Sequence, residues 1–371
     1  MPTTRKGVWD LQQVRDQYLA GEWEQQFQLW SWGNNYYGNL GQGNRTYRSS
    51  PVQVPGTTWN SINTGGYHTL ATKTDGTLWS WGINGDGQLG KTNTTQYSSP
   101  VQIPGTTWSS ISGGLYFSSA TKSDGTLWAW GNNDQGSLGQ NDTTQYSSPI
   151  QIPGTTWSSV ACGYRYMLAT KTDRTLWSWG LNANGQLGQN NRTQYSSPVQ
   201  IPGTTWNSIS MGQRHSFATK TDGTLWAWGY NYYGGLGQNN RTDYSSPVQV
   251  PGTTWSVISA GHAQSNATKT DGTLWAWGRN YRGALGQNNT TYYSSPVQIP
   301  GTTWNNVDTG LYRFLATKND GTLWSSGRSY DGNNAQNNNL NYSSPVQIPG
   351  TQWGSISNTY THSMAFKALV Q

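Results

Sequence analysis

The chain has 371 residues and a formal net charge of +6; only 10% of its residues are charged, 13% are aromatic and 46 are glycine. MPTTRKGVWDLQQ lacks the apolar core of a secretory signal, and no segment approaches transmembrane length, so neither export by that route nor membrane insertion is expected. Cys162 is the only cysteine, which excludes an intrachain disulfide framework and points to synthesis and folding in a cytoplasm.

In chain order, residues 1–28 come first and stand apart from the rest. Asp10 and Gln13 have capping-box spacing, and Leu11, Val14 and Tyr18 fall on one helical stripe. A helix of about ten residues is marginal alone and needs a surface, either the following domain or a partner. Together with Val8 and Trp9, these residues are expected to form a docking segment.

From Leu29 one 49-residue unit recurs seven times without insertion or deletion, opening at Leu29, Leu78, Leu127, Leu176, Leu225, Leu274 and Leu323. That period marks a propeller or solenoid, and the absence of any 3.6-residue apolar period excludes helical solenoids. Each unit carries four strand-like runs: TTWNSINTG from Thr57, YHTLATK from Tyr67, GTLWSWG from Gly76 and SSPVQIP from Ser98. Asp75-Gly76 supplies a tight hairpin between the second and third. The expected fold over 29–371 is therefore an all-β, seven-bladed propeller with four antiparallel strands per blade. Because the chain begins its repeats with third and fourth strands and ends with first and second strands, one blade must combine both ends. Of the 22 tryptophans, 20 occupy three repeat positions, typified by Trp79, Trp81 and Trp108, which suits wedges between blades. The seventh unit departs from the pattern, with Ser326 in place of the second Trp and YDGNNAQ in place of YxGxLGQ, so a looser loop is expected there.

The stretch SSVACGYRYMLATKTD followed by LWSWGLNANGQLGQ, from Ser158 to Gln189, resembles the regulator of chromosome condensation repeat family. The resemblance covers Leu29 to Gln371 and independently implies a seven-bladed propeller. It also implies that nucleotide-exchange activity is missing, since the exchange-factor members use an inserted wedge and these seven copies contain no insertion. The related plant ultraviolet-B photoreceptor senses light through a GWRHT-type motif, whereas the matching GGYHT from Gly65 and GQRHS from Gly212 lack that Trp. RKGVWDLQQVRDQYLAGEW resembles short N-terminal segments of marine tailed-phage structural proteins, which implies attachment to a virion.

Strand order assigns the loops to two faces. TDGT and PGTTW repeat almost verbatim on one, while the first-to-second turns and third-to-fourth loops on the other differ from copy to copy. The variable face is rich in Tyr, Arg and His: Tyr36, Tyr37, Tyr67, His68, Tyr164, Arg165, Tyr166, Arg214, His215, Tyr232, Tyr233, Arg279, Tyr281, Arg282, Tyr312 and Arg313. Tyr and Arg combine contact area with hydrogen bonding and dominate binding surfaces. The eleven cations and five aspartates in these loops account for the whole net charge, which favours an acidic or neutral glycan or a negative protein surface. Isolated basic residues argue against nucleic acid.

Catalytic patterns are lacking. GDGQLGKT, from Gly85 to Thr92, matches a phosphate-binding loop in form, yet its counterparts in other copies do not and no helix follows. His68, His215, His262 and His362 sit in turns of different blades without metal-site spacing and read as surface contacts. Asn44, Asn191 and Asn240 open glycosylation sequons, but Asn is also a turn former. No cofactor, metal or catalytic residue is expected. The sequence leads to a non-enzymatic binding protein, docked on a virus particle by its N-terminal segment and presenting its variable face to a host surface protein or glycan. The alternative is a cytoplasmic interaction scaffold for a nucleotide-binding protein or chromatin, as the family resemblance implies.

Overall fold

A computed structural model describes residues 27–369, in which 28 strands form seven four-stranded antiparallel sheets. The docking residues Val8, Trp9, Leu11, Val14 and Tyr18 lie outside the described residues. After β1 (Phe27–Gly33) and β2 (Arg48–Gln53), blade B stacks β3 (Trp59–Thr64), β4 (His68–Lys73), β5 (Leu78–Gly82) and β6 (Tyr97–Ile103) in that order. Blades C (Trp108–Ile152), D (Trp157–Ile201), E (Trp206–Val250), F (Trp255–Ile299) and G (Trp304–Ile348) repeat this with β7 to β26. The last strands, β27 (Trp353–Asn358) and β28 (His362–Ala368), pair with β1 to make blade A in the order β2-β1-β28-β27. The seam runs from Phe27 opposite Ala368 to Gly33 opposite His362, so the ring closes without an open edge inside that blade. Apart from one 3-10 turn at Tyr281–Gly283, the described residues contain no helix.

Tryptophan holds the blades together in two layers. Trp81 is fully buried and donates its indole N–H to the Asn39 carbonyl of the preceding blade at 2.9 Å. Trp32, Trp130, Trp179, Trp228 and Trp277 make the same bond across their own joints. Each ring fills a wedge between blades while its only polar atom is satisfied, and burying roughly 150–250 Å² contributes up to about 4–6 kcal/mol. Trp59 packs beneath, 5.9 Å from Trp81 and 6.2 Å from the half-buried Trp79. The Lys73 ammonium caps Trp59 and Trp79 at 5.0 and 4.4 Å, and all seven repeat lysines do likewise.

At the F–G joint Ser326 replaces the indole. Its hydroxyl donates to the Gly283 carbonyl, and buried Phe314 fills the wedge from the adjacent strand. In the loop that follows, Ser329 stands where six copies have an asparagine such as Asn35. Asn35 makes contacts of 2.9 to 3.1 Å to Leu40, Asn44 and Thr46, whereas Ser329 makes contacts of 3.2 and 3.4 Å to Asn334 and Asn338.

The two faces separate as strand order requires. On the constant face the hairpin tip of one blade meets the link to the next: Trp108 N–H bonds to Gly76 O at 3.1 Å and Ser123 N–H to Thr107 O at 2.9 Å. Gly76 has φ +75°, the left-handed conformation that a Cβ would disfavour. On the variable face, Gly66 N–H bonds to Gly114 O, Gln213 N–H to Gly261 O and Leu311 N–H to Thr359 O, which ties neighbouring first-to-second turns together at three joints.

Candidate functional site

The first strand of every blade is innermost, and the ends of all seven enclose an axial channel with a cavity of about 240 Å³ that opens on the variable face. A belt of hydrogen bonds encircles it. The side chains of Asn63, Ser112, Ser210, Ser259, Asp308 and Ser357 occupy one repeat position, and each accepts the backbone N–H of the next blade's inner strand at 2.6 to 3.0 Å. Inner-strand N–H groups have no further strand to pair with, and the belt satisfies them. The seventh position is Ala161, which has no acceptor to offer Met211.

Asp308 lies deep in this wall with part of its surface open to the channel. Burial outweighs its bonds from Ser259 and from the Asn358 and Thr309 N–H groups and pushes its carboxyl up to about 6. Cys162 is likewise pushed up by burial, to about 12, which leaves it an unreactive thiol.

One layer nearer the mouth, the first residue of every second strand turns between blades. This corrects the expectation for His68, Tyr166, His215 and Arg313, and for His362: their side chains are fully buried and do not belong to a binding face. His68 Nε2 lies 2.7 Å from Ser118 Oγ, His215 Nε2 3.2 Å from Ser265 Oγ, and His362 Nε2 2.9 Å from Thr69 Oγ1. The Tyr166 hydroxyl donates to His215 O at 2.8 Å, and Gln264 to Gly310 O at 2.8 Å. Arg313 reaches Asn358 Oδ1 at 2.8 Å and His362 O at 3.1 Å, while burial draws its guanidinium down to about 9. Burial also depresses His68, His215 and His362 to about 3, so all three are neutral structural links.

The remaining predicted residues lie on the variable face in two unlike groups, and of them Tyr164 lines the cavity itself. Over blades A to C lies a chain of tyrosines: Tyr36 to Tyr37 at 4.8 Å, Tyr37 to Tyr67 at 5.4 Å and Tyr67 stacked on Tyr116 at 6.1 Å. Tyr164 lines the cavity with Tyr360, and Arg165 is drawn aside by Asp134 at 2.6 Å. Over blades E to G, tyrosines alternate with guanidiniums. Tyr232 meets Tyr233 at 4.9 Å. Arg279 sits over Tyr233 and Tyr312, 4.7 Å from each, and Arg282 lies over Tyr281 and Tyr330 at 4.9 and 4.1 Å. Arg214 is exposed at the edge, and His262 packs on Tyr312 at 5.3 Å.

Tyr116, Arg328, Tyr330 and Tyr360 were not singled out from the sequence, although the same copy-to-copy variation marks them. Among the described residues no group of three or more His, Cys, Asp or Glu is placed to hold a metal. GDGQLGKT is turn and bend rather than a strand-to-helix loop, and Lys91 is bonded to the Gln102 carbonyl. The arrangement offers stacking surface and guanidinium donors around a concave rim, which is binding chemistry.

The model of the RCC1-like domain matches residues 28–365. No curated protein is similar in sequence. Among solved structures, Prp20p from Saccharomyces cerevisiae aligns with a TM-score of 0.85 and 21% identity over 94% of this chain and 93% of its own. Yeast Prp20 in its complex with Kap60 gives 0.84 and 21% over 94% and 90%, and human WBSCR16 gives 0.83 and 20% over 93% and 100%. At these identities the likeness is one of fold.

Proposed function

This chain belongs to the family of RCC1-like domains, and from that premise we propose that it is a non-catalytic scaffold that binds a partner protein at the variable mouth of its channel. The observation that carries the reading is the division of labour among variable positions. Those starting the second strands are consumed in blade joints, whereas Tyr67 in a first-to-second turn and Tyr36, Tyr232 and Tyr281 in third-to-fourth loops keep surface open. Tyr36 and Tyr232 remain 61% and 60% exposed, which costs hydration free energy unless a partner covers them.

A protein partner, rather than a host glycan, accords with relatives of the same fold: Prp20p has been described with its binding to Gsp1p and histones, and Prp20 in a complex with Kap60. Attachment to a virion rests on the N-terminal resemblance alone and on no feature of the propeller.

The test is capture of a partner by the full chain, followed by titration with that partner purified. Tyr36→Ala, Tyr67→Ala and Tyr232→Ala combined should weaken binding at least tenfold, and Thr106→Ala, Thr204→Ala and Thr302→Ala on the constant face should not. Binding lost only with the constant-face set, or retained in full by both, would refute the reading, as would a glycan ligand competing at the same rim.

A further inference from the structure

Charge is distributed unevenly around the mouth. Arg165 is paired with Asp134 at 2.6 Å, and Arg192 lies 3.6 Å from Asp243. Arg279, Arg282 and Arg328 have no carboxylate within ion-pair distance among the described residues. The nearby Asp331 accepts a bond from Asn34 at 3.2 Å.

These three guanidiniums are also held in place. Arg279 is gripped between Tyr233 and Tyr312 and donates to the Tyr312 hydroxyl at 2.9 Å. Tyr330 carries Arg282 at 4.1 Å and Arg328 at 4.4 Å on its ring. The Nε of each of the three makes no hydrogen bond. Stacking restricts the long side chains before any ligand arrives, so less rotamer freedom is lost when their planar forks close on an anion.

We propose that blades E to G of the mouth bind a short acidic segment of a partner protein, whose carboxylates are received by Arg279, Arg282 and Arg328 while the segment crosses the tyrosines between them. This specifies the partner chemistry and rests on the reading of the mouth as a protein-binding site. A carboxylate matches the guanidinium fork in a bidentate manner. Tyrosine rings hold these three guanidiniums close together on blades F and G, and so compact a cluster selects a short segment. A long polyanion continuing round the rim would meet Asp86, Asp134 and Asp142, and beyond blade G it would meet the uncharged tyrosines of blades A to C.

The probe is a fluorescent octa-glutamate peptide titrated into the full chain by anisotropy, with a glycine-serine peptide and an oligothymidylate as comparisons. Octa-glutamate is expected to bind, to weaken as NaCl rises, and to lose at least about tenfold in affinity on Arg282→Gln with Arg328→Gln. Arg279→Lys, which keeps the charge but loses the plane and the fork, should lose affinity as well. Unchanged melting of the variants establishes that folding is intact. Equal binding by wild type and the double variant would overturn the proposal, as would tighter Arg-dependent binding of oligothymidylate. Failure of octa-glutamate, while partner capture still depends on Tyr36, Tyr67 and Tyr232, would sink the acidic-segment inference and leave the mouth reading standing.

Discussion

Replacing Ala161 with serine should close the belt around the channel. At the equivalent joints Ser112 Oγ accepts Cys162 N–H at 2.9 Å, Ser210 accepts Ala260 N–H at 3.0 Å and Ser259 accepts Thr309 N–H at 2.8 Å. Position 161 is the repeat equivalent of Ser112, Ser210 and Ser259, so a hydroxyl there is expected to reach the Met211 N–H. One added hydrogen bond contributes about 1 kcal/mol net, a small change for a chain of this size and roughly 1 °C in melting temperature. The sharper readout is therefore local: amide hydrogen exchange at Met211 should slow about fivefold in Ala161→Ser. Ser210→Ala is the mirror experiment and should speed exchange at Ala260 by a similar factor or more, since it orphans a donor that was paired. If Met211 in the wild type is already as protected as Ala260 and Thr309, or if Ala161→Ser leaves its exchange unchanged, the belt does not hold the blades in the way described.

The three buried histidines make the fold acid-sensitive. Their folded values near 3 lie below the ordinary 6.5, so the stability they contribute is complete above pH 6.5 and falls as pH drops from there toward 3; urea denaturation across that range should show the slope, and a flat profile would contradict their burial. Asp308 acts with the opposite sign: raised from 3.8 to about 6, its contribution is complete below 3.8 and is lost as pH rises through 6. Asp308→Asn keeps a belt acceptor, as Asn63 does in blade B, and should be more stable than wild type at pH 8, by at most about 3 kcal/mol, with the difference vanishing near pH 4. Finally, deleting residues 353–371 removes β28, which pairs with β1 along its whole length, and leaves that edge of β1 open, so the product should aggregate or be cut rapidly by protease; a soluble, cooperatively melting truncation would refute the seam.

Legibility differed between the scaffold and the site. The 49-residue period, the Asp-Gly hairpins and the strand bookkeeping at both ends are local or arithmetic signals, and they were enough to place seven blades, the seam and the two faces. The binding residues were legible only by neighbourhood. Tyr67 and His68 are consecutive, equally variable between copies and both at a turn, yet one reaches the mouth and the other is shut between blades. Alternation along a strand sends adjacent side chains to opposite sides, and a register one residue out would exchange them. Composition points the wrong way for Arg313 as well, since an arginine in a turn is ordinarily exposed; here four carbonyl and side-chain oxygens of blade A receive it.

The sequence by itself determined the architecture, because a repeat that cannot bury its own tryptophans must stack on copies of itself until the ring closes. The tertiary structure alone decided which variable residues are contacts and which are joints, and which arginines remain free. Those properties depend on distances between blades, such as Asp134 to Arg165 and Tyr233 to Arg279, and a spacing of 49 residues fixes the order of the blades but carries no information about what faces what across the gap.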